Sequence, residues 1–159
     1  MSIHRETQEN LADEDRIAEL LGKVWRCDVF KLTPGYPLDR ACVRAGLVVS
    51  AVEIKRLYRK FTQFPQVFVN LNKVFAAQWF AGVHIPSFFV AEFDDVFAYC
   101  DLTGLNGRTI RWCGRADRDD WQDVQPAVCI PVEQFKILQL PDTEPDARRG
   151  VEAHHVNQA

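Results

Sequence analysis

Residues 36–57 read YPLDRACVRAGLVVSAVEIKRL, and the order of residue types in this stretch decides the fold. Two largely apolar runs, 38–45 and 47–57, flank Gly46, which predicts two strands joined by a hairpin-like connection. The second run closes on Glu53, Ile54 and Lys55. Successive side chains on a strand point to opposite faces, so Glu53 and Lys55 share one. Antiparallel pairing with the strand that begins near Asp39 brings that residue beside Glu53. Two converging carboxylates form a hard-oxygen site suited to Mg²⁺, with Mn²⁺ able to substitute. Such a cation binds a phosphate oxygen, lowers the pKa of a bound water and stabilises a departing oxyanion. Lys55 beside it can orient the attacking water or neutralise charge building at phosphorus. Glu-x-Lys alone carries little weight, because exposed strand ends often hold cross-strand salt bridges. The upstream Tyr-Pro-x-Asp strengthens it.

Outward from this stretch the chain alternates helices and strands. Residues 10–24 place Ile17, Leu20, Leu21 and Val24 on one stripe and predict a helix, with Asn10 or Asp13 to cap it and Gly22 as a weak point inside it. WRCDVFKL (25–32) reads as a strand, turned by Pro34 and Gly35 into the stretch above. Beyond it, YRKFTQFPQVF (58–68) reads as a basic, aromatic loop. A second helix is expected from Asn70, its N-cap, to Ala81, with Gly82 as its stop. Strands follow at 86–93 and 96–102, across a turn at Asp94–Asp95, and again at TIRWCG and AVCIPVEQFKIL. The expected architecture is a mixed α/β domain with a central sheet over residues 10–140, a flexible segment over 1–9 and a disordered tail over 141–159.

Composition narrows the partners. The net charge of −3 is unevenly spread. Between Glu53 and the next acid, Glu92, lie Lys55, Arg56, Arg59, Lys60 and Lys73 with no anion among them, a local basic face suited to a polyanion. Tyr58, Phe61, Phe64 and Phe68 interleave with those cations, as suits stacking on single-stranded or distorted nucleic acid. Arg56, Arg59, Lys60 and Lys73 are therefore the candidate DNA contacts. The five cysteines are widely spaced with no C-x-x-C pair, which points to reduced thiols in a cytoplasmic protein rather than to disulfides or zinc. Neither a signal peptide nor an apolar span long enough for a membrane is present, and the four histidines have no metal-ligand or triad spacing. There is no P-loop or dinucleotide glycine pattern, which excludes a nucleotide-driven motor.

The stretch resembles the core signature of the PD-(D/E)XK nucleases, the restriction-endonuclease-like fold: helix, three-stranded meander, helix, further strands. The resemblance covers residues 13 to 102 and is to small phage-type members. It includes the early Asp-Glu of the first helix, Tyr-Pro-x-Asp, Glu-Ile-Lys, and the lysine opening the second helix in VNLNKVF. Leu38 separates Pro37 from Asp39, a loosened form of the proline-aspartate pair. The resemblance implies Mg²⁺-dependent hydrolysis of DNA phosphodiesters, with Asp39, Glu53 and the Ile54 carbonyl holding metal and Lys55 as catalytic lysine. It also implies an acid on the first helix, and homodimers are common among such nucleases, with Trp79 and Trp112 as candidate interface residues.

Helical spacing chooses between the two acids available. Glu14 falls in line with Ala18 and Leu21 on the core-facing side, whereas Glu19 falls with Asp15, Arg16 and Lys23 on a solvated face. Glu14 is preferred. Lys73 is informative for another reason: a cation in the first turn of a helix opposes the macrodipole, so an anion is expected nearby, either a DNA phosphate or the carboxylates. Two other readings stay open, a nucleic-acid-binding module of the same fold without catalysis and an accessory protein acting through protein contacts.

Overall fold

The computed structural model describes residues 8–104 (side chains from 10), 109–114 and 124–140. Helix α1 spans Gln8–Trp25 and buries Ile17, Ala18 and Leu21. It starts ahead of the expected caps, so Asn10 and Asp13 lie inside it. The Asp13 carboxylate instead accepts from the Tyr58 hydroxyl and from Arg16. The helix already holds Gln8 and Glu9, which shortens the segment expected to be flexible. Residues 1–7 and the tail 141–159 lie outside the described residues, as do RADRDDW and the terminal histidines. After Trp25 the chain reverses at Arg26, whose φ is 52°, and the Cys27 N–H donates back to the Gly22 carbonyl at 3.1 Å. A Cβ on Gly22 would lie 2.9 Å from the Cys27 carbonyl oxygen. Close return of the chain, not helix propensity, explains that glycine.

Strand β1 (Asp28–Lys31) is shorter than expected because Trp25 belongs to the helix, its ring set edge-to-face on Phe88 and Tyr99. β2 (Arg40–Arg44) and β3 (Leu47–Arg56) form the anticipated hairpin. Ala45 and Gly46 at its tip have φ of 49° and 77°, the paired left-handed conformation that suits strand twist.

The stretch expected to be a loop holds a strand, β4 (Gln66–Asn70), preceded by a 3-10 turn at Phe61–Gln63. Its partner, β8 (Gln125–Pro131), lies far along the chain, so the five-residue strand has no local pairing signal. Asn70 caps α2 (Leu71–Ala81) as expected, its side chain accepting from the Asn72 N–H at 2.9 Å. Gly82 keeps right-handed geometry, and the chain reverses two residues later at His84. β5 (Ser87–Glu92) and β6 (Phe97–Asp101) form a second hairpin, and β7 spans Ile110–Cys113. The apolar run over 127–138 is not one strand. Pro131 and a 3-10 turn at Val132–Gln134 divide β8 from β9 (Lys136–Ile137).

Two sheets result. The central one has order β1-β2-β3-β5-β6-β9 and is mixed, with β3 and β5 parallel across the crossover through β4 and α2. The other has order β4-β8-β7 and is antiparallel, so of the late strands β7 and β8 join β4 in a second sheet while β9 extends the first. α1 covers one face of the central sheet through Ile17, Leu21, Val52, Ile54 and Val90. α2 and the small sheet cover the other through Val67, Val69, Ala77, Phe89, Val128 and Ile130. β3 is therefore buried on both faces, as a strand with a parallel neighbour usually is. Among the described residues all five cysteines are free, and burial pushes the Cys42 thiol up to about 12, which leaves it unreactive.

Candidate active site

The hairpin register pairs Arg40 with Val52, which sets Asp39 opposite Glu53. The backbone of Asp39 is pinned twice: its N–H donates to the Val52 carbonyl at 3.1 Å, and its carbonyl accepts from Leu32 N–H at 2.9 Å. Leu38, in the bend before β2, is 1% exposed and anchors in the core shared with Ala51, Val69 and Ala77. The extra residue between Pro37 and Asp39 thus serves as a core anchor. Asp39 Oδ2 accepts from the Ile54 N–H at 3.0 Å, tying the carboxylate to the strand end.

Glu53 extends into the same space with its side chain 13% exposed. Its Oε2 is buried and accepts no well-formed hydrogen bond. Lys73 Nζ lies 2.7 Å from that oxygen and 3.6 Å from Asp39 Oδ1. Burial, then repulsion from Asp39, pushes the Glu53 carboxyl up to about 8, with Lys73 acting in the opposite direction. Burial also works against the Lys73 charge, but the two carboxylates outweigh it and hold the ammonium above its usual value. The anion expected near that first-turn lysine is this carboxylate pair.

Lys55 shares the Glu53 face, is exposed, and has no ion pair among the described residues. Glu14 reaches the same cleft from α1, whereas Glu19 pairs with Lys23 at 2.8 Å and faces a different depression. The cleft encloses about 470 Å³. One wall carries Glu14, Asp39, Glu53, Ile54, Lys55 and Lys73; the other is the small sheet, through Phe68, Asn70, Gln125 and Ala127. Asn70 donates through its side chain to Gln125, bracing that wall.

The basic loop is less uniform than its sequence. Arg56 pairs with Glu92 at 3.3 Å and Asp94 at 2.6 Å, and lies over the Tyr58 ring. Arg59 donates to the Gln66 carbonyl and stacks over Phe64 and Phe93, with burial drawing its pKa down. Lys60 remains exposed. Phe61 packs into the core against Phe93 and Phe135. Arg16 and Glu92, joined by two contacts of 2.6 and 2.5 Å, escaped the sequence reading, since 76 residues separate them.

Among the described residues no three histidines, cysteines or acids cluster as a metal site. Asp39 and Glu53 form an oxygen-only pair with one unsatisfied buried oxygen.

A helix, an antiparallel meander, a crossover helix, and an aspartate facing Glu-x-Lys at the meander's end together define a PD-(D/E)XK nuclease core. The chain belongs to the family described as "Phage putative PDDEXK endonuclease", whose model matches residues 3–138. The match runs past residue 102 and takes in the small sheet. Among solved structures it is similar to Hjc, a Holliday junction resolvase of the archaeal hyperthermophile Archaeoglobus fulgidus, with 10% identity and a TM-score of 0.45, over 76% of this chain and 82% of that one. Among curated proteins none matches the chain. No described helix is long and apolar enough to cross a membrane.

Proposed function

We propose that this protein is a divalent-cation-dependent deoxyribonuclease that processes phage or mobile-element DNA. The observation that carries this reading is the buried Glu53 carboxyl beside Asp39 at the end of an otherwise apolar strand, its Oε2 ion-paired with Lys73 at 2.7 Å but without a well-formed hydrogen bond. Two facing carboxylates, one of them largely buried, repel each other, and a bound cation relieves that repulsion. The donor set is all oxygen, which fits Mg²⁺ or Mn²⁺. Asp39, Glu53 and the Ile54 carbonyl would hold the ion. When bound, it supplies charge for the scissile phosphate and a more acidic water.

The chain's own groups do the rest. The Ile54 N–H fixes the Asp39 carboxylate, so its orientation is set before any ligand arrives. Lys73 counters the burial of Glu53 and favours its charged form. Lys55, exposed on the same face, neutralises charge at the phosphate and orients the attacking water. Glu14 supports water around the carboxylates from the α1 side.

The test is cleavage of labelled single-stranded, duplex and branched DNA in Mg²⁺ against chelator, with Asp39→Asn and Lys55→Ala beside the wild type. Cutting that needs Mg²⁺ and both residues supports the reading. Binding without cutting would replace it with a binding module, and neither cutting nor binding would leave the fold without this activity.

A further inference from the structure

The sequence offers four aromatic residues among the cations after β3, and three of them are committed. Phe61 lies in the core, Tyr58 donates to Asp13 and carries Arg56, and Phe64 carries Arg59. Phe68 differs. On β4 its neighbours Val67 and Val69 are 1% and 2% exposed, and alternation turns Phe68 to the opposite face, where it is 46% exposed. That face is the cleft wall across from Asp39 and Glu53. Among the described residues its ring has no aromatic or cationic partner. Its register partner on β8 is Cys129, and the next residue along that face is Ala127, both small, so nothing bulky from the adjoining strand covers the ring. Ala127 is also in register with Arg111 of β7, which places Arg111 on the same face, exposed and without an acidic partner among the described residues. The wall thus presents an aromatic ring beside the small Ala127, and Arg111 lies exposed further out on the same face of the small sheet.

Unlike the other exposed rings of the loop, this one opens onto a cleft lined by charge, where a ligand can cover it. A bare ring facing a cleft lined by Lys55 and Lys73 matches the chemistry of a nucleotide, with the base on the ring and its phosphate toward the cations. We propose, resting on the nuclease reading above, that Phe68 is a base-stacking platform and that the preferred substrate is DNA with an unpaired base beside the scissile phosphate. A base inside an intact duplex is already stacked and its faces cannot reach the ring without unpairing. Single strands, flaps and branch points present one at no such cost.

The test uses the non-cutting Asp39→Asn protein and oligonucleotides carrying 2-aminopurine, whose fluorescence falls on stacking. Two probes are compared: a flapped duplex with the label at an unpaired position, and a blunt duplex of the same sequence. The flap is expected to be quenched on binding. Phe68→Leu, which keeps an apolar side chain but removes the aromatic face, should abolish the quench and weaken flap binding about tenfold. It should leave the blunt duplex unchanged, and Phe68→Trp should restore the quench. Equal quench and affinity in Phe68→Leu would overturn the platform while leaving the nuclease intact. So would an equal loss on both probes, which would assign Phe68 to packing. If no DNA form is bound, the nuclease reading fails and the platform with it.

Discussion

Glu53 and Glu92 are both glutamates near the carboxyl ends of paired strands, with side chains 13% and 18% exposed, yet their surroundings are opposite. Glu92 accepts from both terminal nitrogens of Arg16 and lies 3.3 Å from Arg56, so its two oxygens are matched by two guanidiniums. Glu53 faces one ammonium and one further carboxylate, and its Oε2 lacks a well-formed hydrogen bond. The first arrangement ties α1 to the ends of β3 and β5 in the middle of the central sheet. The second leaves two carboxylates to one ammonium, an imbalance relieved either by a proton on Glu53 or by a bound cation. A fully paired carboxylate builds the scaffold, and an incompletely paired one of similar burial is the candidate for chemistry.

Substitutions at the two glutamates separate these roles. The largest effect is expected at the unsatisfied site: Asp39→Asn or Glu53→Gln should slow single-turnover cutting in Mg²⁺ by about a thousandfold, the scale of losing about 4 kcal/mol of transition-state stabilisation. Glu92→Gln should retain most of that rate.

The pH response follows from the Glu53 carboxyl, raised from 4.5 to about 8. The folded state holds this proton where the unfolded state has released it, so the wild type loses stability as pH rises from 4.5 to about 8 and the penalty is complete above that. Without metal, Glu53→Gln should therefore melt higher than wild type at pH 8, by about 5 °C, and the gap should narrow toward pH 5. A gap that does not vary with pH would show that Glu53 is not protonated in the fold.

Lys73→Met removes the cation 2.7 Å from Glu53 and should move the rising limb of the pH–rate profile to higher pH. Arg16→Ala at the satisfied site should cost stability, about 1 kcal/mol given that Arg16 is 46% exposed, and slow cutting less than tenfold. Lys60→Ala is the smallest: a shallower salt dependence of DNA binding by about one unit, with the cutting rate unchanged.

What was legible in the sequence follows the range of the signal. Asp39, Glu53 and Lys55 lie within one hairpin, where register and alternation suffice to gather them. Glu14 was chosen over Glu19 by helical spacing, and Lys73 was marked by a charge that opposed its own helix. β4 was missed because its pairing with β8 spans more than fifty residues, and a five-residue strand beside Pro65 reads locally as loop. The basic face was overestimated for the same reason. Arg56 meets Glu92 and Asp94 only once β3 and β5 lie side by side. The role of Gly22 was hidden until the Cys27 carbonyl came back against it.

Asn70 is both the last residue of β4 and the cap of α2, so no linker separates the strand that carries Phe68 from the helix that carries Lys73. The two elements are geared together. One residue inserted at this joint would rotate α2 by about 100° and swing the lysine away from the carboxylates, with strand and helix each intact. The joint at 70–71 admits no change of length, because there chain length itself sets the distance between the cleft wall and its resident charge.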